Sequence, residues 1–530
     1  MIANFLFFLK IIRVFKRHNI LILIEKNIRY KILFKLFTFI LAPITLDKSK
    51  KGTADGIRIS SALNELGPSF IKLGQLISTR PDIIGNEIAE DMAMLRDNLP
   101  PFSRIEAVNI IEEQFGRKIE SIFQNFGEPI AAASIAQVHF AEIKEGEKNI
   151  PVAVKILRPN IIETIDDEMN RLDWLTGFLE NFSELKRLQL NSVIKKAKEI
   201  IRFELDLRYE AAAASELKEN TKNDHSFYVP EIHWEYVTKK VLTIERIDGT
   251  PADKIEILKE KKVDLVKVAN SLIVNFLNQA IRDGYFHADL HQGNLFIGEN
   301  NNLIAVDFGI MGRLDKKNRR FLAEIIFGFI SQDYLKIAQI HKEAGLIDND
   351  QSVDDFSQAL RSIGEPIINL KAKDISMGRV LVQLFDITKQ FNMSLQPQLL
   401  LLQKTMIIIE GVARKFNPEI NFWEISKPEI EKWLKDELGP ITKLKETGKV
   451  LEALARKVPD IPDFLDRAEG AFDFIAESKL KFDADKIRRK SRKNLLGITS
   501  GAIVILITAI LLIKIYIINT LLFYICLLYT

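Results

Sequence analysis

Between His287 and Gly309 the chain gathers residue types able to manage a triphosphate. Asp289 stands five positions before Asn294 in His287-Ala288-Asp289-Leu290-His291-Gln292-Gly293-Asn294. An apolar run from Leu303 to Val306 then leads into Asp307-Phe308-Gly309. Magnesium prefers carboxylate and amide oxygens, which makes Asn294 and Asp307 candidate metal ligands. A separate carboxylate has to reach the attacking hydroxyl or water and take its proton, and Asp289 is the candidate base. Alone, an Asp-Phe-Gly triplet usually marks a turn after a strand; the two elements in this order and spacing are specific. His287, Asp289 and His291, at alternate positions, could also be read as a metallohydrolase cluster. That reading needs further ligands, which the other five histidines do not obviously supply, and it leaves Asn294 and Asp307 unused. Both histidines are expected to brace the loop.

These groups need a strand and a capped helix to hold them. Ile150-Pro151-Val152-Ala153-Val154-Lys155 alternates as a strand, with Val152, Val154 and Ile156 on one face and Ala153 and Lys155 on the other. A lone lysine on an apolar strand is most often a snorkelling edge residue. VAVK followed by the two downstream elements, however, is the order of a protein kinase, whose third-strand lysine grips the nucleotide phosphates. Asp264 to Arg282 has helical spacing and stops at Gly284, a C-cap position. One hairpin before the lysine strand a kinase carries a glycine-rich loop. This chain has Ala131-Ala132-Ala133-Ser134-Ile135-Ala136-Gln137-Val138 instead. Alanine allows close approach, but its Cβ disfavours positive φ, so a stiffer loop is expected.

The 530 residues, 47% of them hydrophobic, exceed one compact core. A formal charge of +3 and the absence of an aromatic-interleaved basic stripe in the central region argue against nucleic acid as a partner. The single cysteine, Cys526, excludes an intramolecular disulfide and a Cys-based metal cluster, which suits a reducing, cytosolic setting for the globular part. Residues 1–45 mix apolar runs with Lys10, Arg13, Lys16, Arg17, Lys26, Arg29, Lys31 and Lys35. They read either as basic amphipathic helices on a membrane surface or as helices packed on the main body. No short h-region precedes a small-residue cleavage site there, which argues against a cleaved signal peptide.

Residues 46–126 are expected to be a helical extension, 127–249 a strand-rich lobe and 250–439 a mainly helical lobe. The breaks at Leu99-Pro100-Pro101, Glu128-Pro129, Gly249-Thr250-Pro251 and Gly439-Pro440 support these boundaries. Residues 440–494 read as a helical connector. It ends in Lys486, Arg488, Arg489, Lys490, Arg492 and Lys493, ahead of an apolar tail, 495–530, long enough for one transmembrane span or a short hairpin. Cations beside a span place the globular part on the cytoplasmic side.

With these motifs in place the chain resembles the UbiB family of atypical kinases, also called ABC1 or ADCK. The likeness covers Ile57 to Gly312 and adds two signatures: Lys72-Leu73-Gly74-Gln75, matching the family's KxGQ motif, and Glu204-Leu205-Asp206 followed by Glu210, matching its ExD helix and third-helix glutamate. Pro68 suits the first turn of the KxGQ helix, and Lys72 and Gln75 share a face. The resemblance implies a two-lobed α+β protein-kinase-like fold with a KxGQ-bearing helical extension and a C-terminal transmembrane helix or hairpin. It places the KxGQ face over the cleft, pairs Lys72 with Glu204 and Lys155 with Glu210, and implies that ATP is bound by Ala131, Ala132, Ala133, Ser134, Val138, Lys155, Glu210 and Glu245 with Mg²⁺. Six positions apart, Glu204 and Glu210 on one helix would point about 120° apart. Ala136 stands where the family often has glycine, and Leu290 and Gln292 replace prolines common in its catalytic loop.

By resemblance the chain supports ubiquinone biosynthesis from a bacterial inner membrane, using ATP. Implied partners are membrane lipids, polyprenylated quinone intermediates and other enzymes of that pathway. A phosphotransferase acting on a small molecule, lipid or protein is the first alternative, and a catalytically silent scaffold the second. No flavin fingerprint or iron-ligand set is visible to support a hydroxylase.

Overall fold

The lysine strand lies in the middle of a four-stranded antiparallel sheet, whose order is β1 (Pro129–Ala132), β2 (Ala136–Glu145), β3 (Lys148–Leu157) and β5 (Val241–Glu245). The computed structural model describes residues 2–22, 54–78, 84–93, 99–180, 190–348, 350–368 and 397–438, with a few positions between 380 and 391. The expected alternation along β3 holds. Val152, Val154 and Ile156 are fully buried against Ile110, Ile111 and Phe123, whereas Lys155 leaves from the opposite face. Ile110 and Ile111 come from a helix, Arg104–Phe115, which opens on a capping box between Ser103 and Glu106 and ends at a left-handed Gly116.

The chain before this sheet is helical: α1 (Ile2–Arg17), α2 (Asp55–Leu66), α3 (Pro68–Ser78) and α4 (Asn86–Ala93). Pro68 does open α3, directly after Gly67 has closed α2. α1 packs on the main body. Phe7, Ile11 and Val14 are buried, the Phe7 and Phe70 rings lie 5.9 Å apart, and Arg17 and His18 both reach Glu65. Phe5 and Leu6 on its other side remain exposed.

Two expectations for 127–249 need correction. The segment is less strand-rich than expected, because three helices intervene between β3 and β5. With the Arg104–Phe115 helix as α5, these are α6 (Ile161–Leu179), α7 (Leu190–Glu204) and α8 (Leu207–Asn220). Ile161, Ile165, Met169, Leu172 and Leu175 are all buried, a spacing of three and four that marks a helix. Nor do Glu204 and Glu210 share a helix: α7 stops at Glu204, and Asp206 caps α8 by accepting from the Arg208 N–H. A capping Asp breaks the continuity that the six-residue spacing assumed.

The second lobe is built on α10 (Leu265–Leu277), which follows the short α9 (Ile255–Glu260). Val268, Ala269, Leu272, Ile273 and Phe276 of α10 are all but fully buried. A π-turn, Asn278–Asp283, ends at Gly284 with φ 69°, as the cap position anticipated. Beyond it, short strands β7 (Tyr285–His287) and β10 (Met311–Arg313) pair, while β8 (Leu295–Ile297) lies between β9 (Leu303–Ala305) and β6 (Thr250–Pro251), and β4 (Phe227–Tyr228) runs parallel to β9. Around them lie α11 (Lys316–Ser331), α12 (Tyr334–Glu343), α13 (Val353–Ile368), α14 (Pro397–Phe416) and α15 (Phe422–Leu438). α14 runs beside α10.

Among the described residues no helix is long and apolar enough to cross a membrane. The apolar tail 495–530 and the connector 440–494 with its basic cluster lie outside the described residues, as do positions 23–53 of the N-terminal region.

Candidate active site

Lys155 sits in β3 between Val138 of β2 and Leu242 of β5. Its Nζ donates to both oxygens of Glu210, at 2.7 and 2.9 Å, and to Asp307 Oδ1 at 3.1 Å. Residues 55 and 152 positions away thus converge on one ammonium. Glu210 is delivered by the first turn of α8, where the positive end of the helix dipole favours a carboxylate. One cation serving two carboxylates cannot treat them alike. Burial, reinforced by the negative Asp307, raises the Glu210 carboxyl against the pull of Lys155. Desolvation in the cleft also acts upward on Asp307, but Lys155 and then Lys72 outweigh it and hold the carboxyl well below the usual range. Burial would lower the Lys155 pKa; Asp307 and Glu210 overcome it and raise it.

Asp307 adopts φ 62°. Left-handed backbone is tolerated by Asp yet uncommon outside glycine, and such outliers concentrate at functional sites. The turn leaves Asp307 48% exposed while Phe308 is buried beside the His287 ring. The Val306 N–H donates to the Asn294 carbonyl at 3.0 Å, so the segment before Asp307 is tied directly to the loop carrying Asn294 and Asp289. Asn294 Nδ2 donates to the Asp289 carbonyl at 3.1 Å, which leaves Asn294 Oδ1 as the atom suited to a cation. An amide oxygen and an ionised, accessible carboxylate fit magnesium, which keeps waters or phosphate oxygens for its remaining positions.

Both neighbouring histidines brace the loop. His287 Nδ1 accepts from the Asp289 N–H at 3.1 Å, and His291 Nδ1 from the Gly293 N–H at 3.0 Å. Burial keeps the fully enclosed His287 below its ordinary pKa, hence neutral. Among the described residues no group of three or more His, Cys, Asp or Glu is placed to hold a metal, so the alternate-residue cluster does not form.

The alanine-rich loop closes between β1 and β2, with the Ala133 N–H donating to the Ala136 carbonyl at 2.8 Å. No residue from Ala131 to Ala136 takes a positive φ, so the loop dispenses with the freedom glycine would give. Ser134 is fully buried within it, and Val138 is half-buried opposite Lys155. Arg158, missed in the sequence, locks the loop. Its Nε and Nη2 donate to the Ala133 carbonyl at 3.0 and 2.8 Å, Nη2 reaches the Leu99 carbonyl, and the guanidinium lies over Phe102. The only available signal was its position three residues beyond Lys155.

Lys72 of α3 meets Glu204 at the end of α7 at 2.9 Å, each about nine-tenths buried, and Lys72 is close enough for its charge to act on Asp307. Gln75 lies nearly one turn further along α3, half-buried. Glu245 is not brought to this cluster. Its Oε2 accepts from Tyr228 Oη at 2.5 Å and from the Glu231 N–H at 2.9 Å, bracing the segment before β5. α14 also reaches the loop carrying Asp289, with Lys404 Nζ 3.9 Å from Asp289 Oδ1. No motif pointed to that residue.

Residues 94–341 match the ABC1 atypical kinase-like domain and residues 360–421 the UbiB helical domain. A "Probable protein kinase UbiB" of Pseudomonas paraeruginosa is 37% identical over 466 residues, covering 87% of this chain and 86% of that one. The chain belongs to the UbiB family. A UbiB of the same description from Histophilus somni is 37% identical over 472 residues, 87% of each chain. Another from Marinobacter nauticus is 38% identical over 437 residues, 81% of this chain and 79% of that one. A Mycobacterium tuberculosis protein solved in complex with erythromycin shares 22% identity at a TM-score of 0.47, covering 69% of this chain and 93% of that one. The two domain matches give this UbiB chain a kinase-like α+β fold with a family-specific helical domain, to which α14 belongs.

Proposed function

We propose that this chain is a membrane-anchored atypical kinase or ATPase that uses Mg-ATP to support ubiquinone biosynthesis, making polyprenylated intermediates accessible to the enzymes that modify them. The observation that carries this reading is the convergence of Lys155, Glu210 and Asp307 beside the Asp289–Asn294 loop. In this reading Lys155 grips the nucleotide phosphates and Glu210 keeps its ammonium in place. Asn294 and Asp307 hold magnesium, which neutralises phosphate charge. Asp289 takes the proton of the attacking hydroxyl or water. The alanine-rich loop, fixed by Arg158, covers the phosphates. Lys72 and Glu204 latch α3 beside the cleft, where a peptide substrate would otherwise lie, which suits a lipid-linked role. Anchoring at a bacterial inner membrane with the catalytic part in the cytoplasm rests on the sequence of 486–530 and its flanking cations. Membrane lipids, quinone intermediates and other enzymes of the pathway are the proposed partners.

The test is ATP turnover by purified protein with Mg²⁺ and lipid, together with quinone profiling of a deletion strain complemented with wild type or Asp307→Asn. Turnover and quinone should both be lost in the variant; equal quinone from the two proteins would overturn the reading. The relatives' description as protein kinases favours a second reading, transfer to a defined acceptor. Labelled γ-phosphate recovered on that acceptor rather than in water would distinguish it.

A further inference from the structure

α14 makes three polar contacts to the catalytic loop. The buried Thr405 donates from Oγ1 to the Ala288 carbonyl at 3.1 Å, and Lys415 donates from Nζ to Gln292 Oε1 at 2.7 Å. Lys404, 23% exposed, directs its ammonium at Asp289 Oδ1 from 3.9 Å, while His291 Nε2 lies 3.7 Å from Oδ2. At 3.9 Å the Lys404 contact is an ion pair without a hydrogen bond, so among the described residues this ammonium is held toward Asp289 with its donors still to be used. Lys155, by contrast, already directs three short contacts at Glu210 and Asp307. Phosphoryl transfer depends on positioning and on cations aimed at the transferring group, next to the base that receives the proton.

We propose that Lys404 is a second phosphate-binding cation of this site, contacting the terminal phosphate of ATP beside Asp289, so that the helical domain completes the active site. The proposal rests on the nucleotide reading given above. Thr405 and Lys415 hold the loop and α14 in register so that the ammonium meets the phosphate rather than solvent. A lysine contacting only the terminal phosphate distinguishes ATP from ADP, whereas a lysine that merely supports the fold does not.

The experiment measures ATP and ADP affinities calorimetrically, in Mg²⁺, for the full-length wild type, Lys404→Gln and Lys404→Arg. Lys404→Gln should weaken ATP about tenfold and ADP by less than about twofold, the worth of one charge-assisted hydrogen bond, and Lys404→Arg should restore most of the preference. Unchanged affinities, or an equal loss for both nucleotides with no rescue by arginine, overturn the proposal. Thermal midpoints of the variants and of Thr405→Val show whether α14 remains docked. Should wild type bind neither nucleotide, both readings fall. If it binds both but Asp307→Asn turns over ATP as fast as wild type, the functional reading falls while the ATP/ADP ratio still decides the role of Lys404.

Discussion

The Lys72–Glu204 pair gives the latch between α3 and α7 a measurable strength. The two charges stand 2.9 Å apart with 12% and 10% of their side chains exposed. Their attraction is about 6 kcal/mol at an effective dielectric of about 20, much of it offset by dehydrating both ions. Removing one member strands the other, so Lys72→Met should cost about 3–5 kcal/mol. Glu204→Gln should cost less, because Lys72 retains the field of Asp307. The double variant strands neither ion, and its cost should fall below the sum of the two by about 1–3 kcal/mol. Urea unfolding of the full-length protein, followed by tryptophan fluorescence and circular dichroism to check for a single transition, supplies the three values. A strictly additive cycle, or single variants each within about 0.5 kcal/mol of wild type, would show the pair to be solvated and the latch absent.

Three further outcomes follow from other contacts. His341 is buried on Phe356, and burial pushes its pKa down to about 4. Its contribution to stability is therefore complete above the unfolded value near 6.5 and is lost as pH falls toward 4, by up to about 3 kcal/mol; His341→Leu should flatten the urea midpoint across that window. Arg158→Ala frees the Ala133 carbonyl and should raise KM for ATP more than it lowers kcat, by an amount worth about 1–3 kcal/mol, read by steady-state kinetics. Gly312→Ala would place a Cβ 2.1 Å from Cζ of the fully buried Phe286, and the overpacking should cost about 1–3 kcal/mol in a thermal or urea melt.

Local pattern revealed what local physics controls. The faces of β3, the proline that opens α3 and the glycine that closes the π-turn were legible because each depends on alternation or on one backbone preference. The break between Glu204 and Glu210 was hidden, since Asp206 reads as a motif residue until its side chain is seen capping α8. Between β3 and β5 the motifs announced a helix carrying Glu204 and Glu210, whereas α6 was not anticipated although its apolar spacing was present, because the flanking strands set the expectation for the rest of the segment. Within the site, Lys155, Asn294 and Asp307 carried sequence signatures. The left-handed turn at Asp307 and the approach of Lys404 did not, the latter joining residues 115 positions apart through packing of α14 that no motif encodes.

Gln292 stands where the resemblance to the family implies proline, and its anchor, Lys415, lies 123 residues downstream. A pyrrolidine ring would restrict this stretch of backbone from the moment it is synthesised. Here the restraint arrives only when the distant lysine does, after nearly all of the second lobe has been made. A nascent chain halted before that point would carry every kinase-like signature yet lack the tether at Gln292, so the loop from His287 to Asn294 gains this restraint only once the late helix is in place.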